Sequence, residues 1–334
     1  MNTVKVSLDA MGGDYAPRVV VKGALMALDD PNVEIFLVGK TEILKKELEA
    51  LKKNYDEKRL KLVDAEDIVG MADKPTEALK KKHSSLYIAA DLVKRGKAEA
   101  LVSAGNTGAV LAISMFVIGR IKGIERPAIA TPLPSTNGFT VLIDSGANAT
   151  VKSHHYLDFA KMGIFYAQLF GKDDPVVGLL NIGEEEEKGT DTLREAYTLL
   201  KDTLKDKFFG NVQGRDINNG VVDVVVTDGF TGNVVLKTLE GAGKFMTSVI
   251  KEGIMKNGIL TKIGALMMKK VFDGLKSKLD YRNYGGAFLL GVNGISVIAH
   301  GSSDELAIKN AIKVASKGVR MNIVGKIMES INNN

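Results

Sequence analysis

Four apolar runs end in small turns rich in glycine, hydroxyl and amide side chains: SAGNTGAV from Ser103, DSGANATV from Asp144, NIGEEEEKGT from Asn181 and TDGFTGNVV from Thr227. Glycine allows a tight turn and lets a ligand approach the backbone, and the first amides of the helix that follows point outward with partial positive charge. Four such turns predict a parallel sheet whose strand ends share one crevice for an anion, because open α/β sheets bind ligands at that edge. In SAGNTGAV, Asn106 and Thr107 place side-chain donors beside the amides of Gly105 and Gly108. In TDGFTGNVVLK, Thr231, Gly232 and Asn233 repeat the design, and Lys237 follows one helical turn later, within reach of a bound anion. DAMGGD supplies Gly12, Gly13 and Asp14 before Pro17 opens a helix, either as exposed amides or as a plain capped turn. Helix-start amides with lysine favour phosphate over a neutral ligand.

Several other chemistries lack their residues. There is no G-x-x-x-x-G-K-[ST], G-x-G-x-x-G, H-E-x-x-H or G-x-S-x-G pattern, and no cysteine for a thiol nucleophile, a disulfide or a thiolate metal site. The spacing of His83, His154, His155 and His300 suggests no metal pair, so no metal is expected. His83 reads as structural, and His154 and His155 sit at a helix start and carry little weight as site residues. The acids Glu184 to Glu187 read as a solvated helix start that complements the dipole.

The elements that position these turns alternate. Runs 4–10, 33–39, 60–65, 99–105, 128–134, 139–146, 176–183 and 221–229 are mostly continuous apolar strands, as expected for strands buried on both faces. Between them, 17–28, a stretch capped by Thr41, 85–94, 107–120, 155–170 and 190–207 carry helical spacing. The alternation predicts a three-layer α/β/α fold with a mostly parallel sheet. No linker or repeat divides it, so residues 1–334 are expected to form a single domain. No leader-like segment opens the chain and no apolar run nears the roughly 20 residues of a membrane span, so a soluble, cytoplasmic protein is expected.

Charge is unevenly placed. Of 45 Lys and Arg against 40 Asp and Glu, the stretch from Lys251 to Arg282 holds eight basic and three acidic residues, which leaves 37 of each sign elsewhere. The excess is local, a device for meeting something negative. Leu260, Ile263, Met267, Val271 and Leu275 form an apolar stripe, with Lys262, Lys269 and Lys270 mainly elsewhere around the helix. Segment 250–280 is therefore an amphipathic helical insertion. It packs on the sheet, on a second subunit, or on an anionic bilayer, where each lysine adds about 1 kcal/mol near the headgroups.

DAMGGD, DKPTEAL (73–79), SSLYIAADLVKRGKAEALVSAGNTGA (84–109), RPAIA (126–130), GAN (146–148), NIGEEEEKG (181–189), DVVVTDGFTGNVVLKTLEG (223–241), YGGAFLLGVNG (284–294) and AHGSSD (299–304) run in order through nearly the whole chain. Together they resemble the bacterial acyl-carrier-protein:phosphate acyltransferases. The resemblance implies a fold like those of phosphate acetyltransferases and isocitrate dehydrogenases. It also implies a homodimer peripherally associated with the cytoplasmic membrane, and transfer of a long fatty acyl group from the phosphopantetheine thioester of acyl carrier protein to inorganic phosphate. Implied partners are acyl carrier protein, the anionic membrane surface and a membrane glycerol-3-phosphate acyltransferase that consumes the acyl phosphate for phospholipid synthesis. No cofactor and no nucleic acid are implied.

Such a reaction needs little activation, since phosphate is already an anionic nucleophile and a thiol with pKa near about 8.5 leaves readily. The work is positioning and oxyanion stabilisation. Turn position and the resemblance assign Gly12, Gly13, Asn106, Thr107, Gly108, Thr231, Gly232 and Asn233 to phosphate, Lys188 and Lys237 to charge, and Asn148 or His300 to the thioester. Both lysines also read as solvated surface residues, and Asn106 and Asn148 as turn formers. The family's usual GANV and acid is here Gly146, Ala147, Asn148, Ala149 and Thr150, and Phe288 is bulkier than expected, narrowing an acyl tunnel or filling core. A short-chain phosphate acetyl- or butyryltransferase using coenzyme A, a non-catalytic scaffold for acyl carrier protein, and a nicotinamide dehydrogenase are the rival readings.

Overall fold

The computed structural model describes residues 3–52, 55–272, 274 and 285–332. Its strands are β1 (Val4–Asp9), β2 (Val33–Gly39), β3 (Leu60–Asp64), β4 (Ala100–Ser103), β5 (Ala128–Ser135), β6 (Gly138–Ile143), β7 (Val177–Leu180), β8 (Phe208–Val212), β9 (Val224–Val226), β10 (Ala287–Leu290) and β11 (Ile295–Ile298). All lie in one sheet, ordered β3-β2-β1-β4-β11-β10-β5-β6-β9-β7-β8. Apolar residues buried on both faces of β1, β4, β6, β7 and β9 explain their unbroken hydrophobic runs.

The pairing direction matters most for function. β3, β2, β1, β4 and β11 form one parallel block, and β6, β9, β7 and β8 form another. Between them β10 is antiparallel to β11 and to β5, and β5 is antiparallel to β6. Three reversals turn the second block against the first. The sheet is mostly parallel, as expected, yet the strand ends of the two blocks leave it at opposite edges.

Helices Arg18–Ala27, Ser153–Leu169 and Glu305–Arg320 cover one face of the sheet, where most of the core lies. Gly23 lets the first and last of these touch, since a Cβ there would meet Ile308 Cβ at 2.5 Å. Phe288 is fully buried on this face, 5.1 Å from the Tyr166 ring and against Gly318, so its bulk fills core and lines no acyl tunnel. The opposite face carries two separate apolar clusters. One lies under Ser85–Lys94, Thr107–Ile113 and the wider π-helical turn Ser114–Ile118. The other lies under Gly214–Asn219 and the start of Gly229–Lys256.

The last helix is 28 residues long, about 42 Å, and only its first part touches the sheet. It continues into Ile259–Met267, which packs back on it, and Leu260, Ile263, Met267 and Val271 are all exposed. Lys262, Lys269 and Lys270 are exposed beside them, while Leu275 lies outside the described residues. Among the described residues no helix is long and apolar enough to cross a membrane.

Candidate active site

Three turns meet where β1, β4 and β11 end. Asp9 is buried beneath them; its Oδ1 accepts the Met11 amide at 3.2 Å and its Oδ2 the Ser103 hydroxyl at 2.7 Å. Ser103 Oγ in turn accepts the Gly105 amide at 3.0 Å, and Asp14 N–H donates to Gly301 O at 2.8 Å. Burial pushes the Asp9 carboxyl above its usual range, against bonds from Ser85, Ser103, Met11 and Gly12 that pull it down. Gly12 has no room for a side chain, since a Cβ would sit 2.5 Å from Asp9 Oδ2 and 2.9 Å from Gly105 N.

Asn106 is committed to this scaffold. Its Oδ1 accepts the Ala109 amide at 3.2 Å as a helix cap, and its Nδ2 donates to Asp73 O at 2.8 Å and Met71 O at 3.0 Å. It therefore clamps the 71–75 segment over the turn instead of offering its amide to a ligand. The two amides that open the helix, Thr107 and Gly108, have no intrahelical partner, and Thr107 is exposed. On the third turn His300 is exposed, and its Nδ1 accepts the Ser302 amide at 3.2 Å, which leaves the hydrogen of the neutral ring on Nε2.

The second group of turns follows β6, β9 and β7. Asp144 Oδ1 accepts the amides of Ile129, Gly146 and Ala147, and its Oδ2 accepts both the amide and the side chain of Asn148, all at 2.7–3.0 Å. Burial pushes this carboxyl up while those donors pull it down. The Asn148 Nδ2 donates also to Pro127 O at 2.8 Å, and the residue is buried, so it is a structural tie and does not reach a thioester. Asp228 caps the next helix, its Oδ1 taking the Thr231 amide and its Oδ2 the Thr231 hydroxyl, each at 2.8 Å. The expected donors of Thr231 are thus turned to a carboxylate.

Gly232 packs against the Asp144 carbonyl, and Asn233, exposed, donates from Nδ2 to Ser145 O at 3.3 Å. Lys237 pairs with Glu240 at 2.8 Å one turn along its own helix. Lys188 is exposed beside an open pocket also lined by Ile182, Gly183, Glu184, Glu185 and Gln213.

Strand direction separates the two groups. Ser103 of β4 is level with Ile298 of β11 and through it with Ala287, whereas Leu142 of β6 is level with Thr131 and Val225. Asn106 lies beyond one side of this row and Asn148 and Asn233 beyond the other, at opposite edges of the sheet. The expectation of one shared crevice fails on this point. SAGNTGAV joins DAMGGD and AHGSSD at one edge, while DSGAN, NIGEEEEK and TDGFTGN gather at the other.

Reading residue types missed the two buried acids, Asp9 and Asp144, though each is the polar residue that closes a long apolar run. It also passed over Glu125, which touches His154 Nε2 at 3.3 Å and His155 Nε2 at 3.1 Å. These three lie close enough to hold a metal ion. However, His155 Nδ1 accepts the Lys152 amide at 2.9 Å, so the neutral ring carries its hydrogen on Nε2 and donates it to Glu125. A nitrogen so protonated is no ligand.

A family model described as a fatty acid synthesis protein matches residues 4–326. The phosphate acyltransferase of Thermotoga petrophila is 52% identical over 328 residues, spanning 98% of this chain and 95% of its own length. Among solved structures, a phosphotransacetylase from Streptococcus pyogenes aligns over 95% of this chain and 94% of its own with a TM-score of 0.64 at 17% identity. A branched-chain phosphotransacylase from Enterococcus faecalis V583 aligns over 95% and 100% with a TM-score of 0.56 at 16% identity. The structural likeness gives the fold, and sequence and fold together define an α/β acyltransferase. The chain belongs to the fatty acid synthesis protein family.

Proposed function

We propose that this protein transfers a long-chain acyl group from the phosphopantetheine thioester of acyl carrier protein to inorganic phosphate. The acyl phosphate formed feeds phospholipid synthesis. The observation that carries the reading is the 52% identity to a phosphate acyltransferase across 98% of the chain. The turns give it a mechanism.

Phosphate sits at the edge formed by β1, β4 and β11, against the amides of Gly13, Thr107 and Gly108. Asp9 and Asn106 hold these turns from beneath and beside. The Asn233 edge is the poorer seat for a dianion, because its helix is capped by the carboxylate of Asp228 whereas the Thr107 helix is capped by the neutral Asn106. A phosphate oxygen attacks the thioester carbon, the C–S bond breaks, and the hydrogen lost by hydrogen phosphate is the one gained by sulfur. His300 Nε2–H, on the same edge, donates to the carbonyl oxygen or the sulfur as charge develops. Lys188, Lys237 and Asn233 serve the acyl donor at the far edge. Two copies joined along the long helices, with the exposed Leu260, Ile263 and Met267 tips against an anionic bilayer, would deliver the product to a membrane acyltransferase.

Purified protein given palmitoyl-acyl carrier protein and phosphate should yield palmitoyl phosphate by mass spectrometry. Acetyl phosphate from acetyl-CoA in its place would favour the short-chain rival. Absence of any acyl phosphate would sink both.

A further inference from the structure

Ile129, Thr131 and Leu133 alternate along β5 on one face of the sheet. Ile129 belongs to the apolar cluster under Thr107–Ile118, and Leu133 to the cluster under the start of Gly229–Lys256. Thr131, between them, is half-buried. Thr131 thus marks the stretch of sheet between the two clusters, and Ala147 and Ala287, at the margin of the first cluster, are also only partly covered. β10 pairs with β5 only through Ala128–Ala130, so Thr131 lies just past the last paired residue.

A hydroxyl pair marks this stretch. Ser145 Oγ lies 3.1 Å from Ile129 O, which the Ser145 amide also reaches at 2.9 Å, and 2.7 Å from Thr131 Oγ1, and either hydroxyl can be the donor of the shorter bond. In both arrangements the Thr131 oxygen keeps a lone pair that can accept from an N–H or O–H group.

We infer that this stretch of the sheet face is the floor of a trough that holds the pantetheine arm of the acyl donor in extended form, with Thr131 Oγ1 accepting one of its amide hydrogens. The inference rests on the acyl-transfer reading above. One flanking helix starts at the Thr107 edge and the other at the Asn233 edge, so a trough between them joins the two groups of turns. An arm laid in it presents its thioester at the Thr107 edge and its phosphodiester near Asn233. The separation of those turns is then what a two-ended ligand requires.

Thr131→Val keeps the shape and removes the acceptor, and Thr131→Ser restores it. Losing one neutral hydrogen bond should raise KM for the thioester about three- to tenfold. The rise should be alike for palmitoyl-CoA and palmitoyl-acyl carrier protein, which share the arm, with KM for phosphate unchanged and Thr131→Ser close to the parent. A change seen with the carrier-protein thioester alone would place the contact on the carrier protein and overturn the inference. So would an equal change in KM for phosphate, or no change at all. Binding of 4′-phosphopantetheine, followed by calorimetry, separates the inference from the activity. Weaker binding to Thr131→Val than to Thr131→Ser supports the trough even if no acyl phosphate forms, and equal binding overturns it even if acyl phosphate does form.

Discussion

Two aspartates do for the backbone what the turn residues do for a ligand. Asp9 and Asp144 each end the first long strand of a block, sink into the protein and gather the amides of the turn that follows. Side chains expected to face a substrate, those of Asn106, Asn148 and Thr231, are instead bound to these scaffolds or to Asp228. Residue type alone does not separate the two uses of an amide or hydroxyl, because the difference lies in which neighbour the fold supplies. Gly232 shows how tight the arrangement is. A Cβ there would run into the Asp144 carbonyl, so Gly232→Ala should destabilise by about 1–3 kcal/mol or more and disturb the β6 turn, as read by thermal unfolding.

A second prediction concerns His155, buried and tied by Nδ1 to the Lys152 amide. Burial holds its pKa below the ordinary imidazole value, with Glu125 pulling the other way. In the unfolded chain the ring takes its proton near pH 6.5, while the folded ring resists until a lower pH. The unfolded state thus binds more protons in that window, so stability present above about pH 6.5 is lost on acidification. His155→Gln should flatten the fall in melting temperature between about pH 7.5 and 5.5. An unchanged slope would assign the acid sensitivity to other groups.

At the scale of elements, the periodicities located most of the strands and helices, and the turns at their ends were legible from glycine and asparagine. β8, β10 and β11 were not, being short, five or four residues, and interrupted or flanked by glycines such as Gly210, Gly291 and Gly294. Those last two strands reverse the direction twice and so leave β5 running with the first block. The antiparallel pairing of β5 with β6 is what turns the second block over, and reading 128–134 and 139–146 as members of one mostly parallel sheet left the four turns on one imagined edge. The helical character of 250–272, the described part of the 250–280 segment, was legible for the opposite reason, since its stripe answers to helical spacing alone. Its outward face carries Leu260 and Met267, each 83% exposed, beside Lys262 and Lys270. Leu260→Glu with Met267→Glu should abolish flotation with anionic liposomes while leaving the melting temperature within a few degrees, because neither side chain packs in the core. Unaltered flotation would remove the bilayer from the reading and leave subunit contact.

For the whole molecule, opposed blocks set the length over which substrates are handled. One edge carries the open amides of a helix capped by the neutral Asn106, and the other a helix capped by Asp228 beside the exposed Asn233. The asymmetry predicts different losses from the two ends. His300→Gln should lower kcat with thioester KM nearly unchanged, since its role falls in the transition state. Lys188→Ala should raise thioester KM and leave kcat nearly intact. Steady-state kinetics with phosphate and thioester varied in turn would check both, and the reverse pattern would exchange the roles of the two edges.

β10 and β11 come from near the end of the chain yet lie in the middle of the sheet, filling the gap between β4 and β5. A growing polypeptide that has not yet emerged to Ile298 holds two slabs with bare inner margins, at β4 and at β5, and nothing to stitch them together. Closure of this enzyme therefore waits until the chain has emerged to Ile298, and a stop codon placed shortly before Ala287 should release two sticky halves in place of a shortened but closed protein.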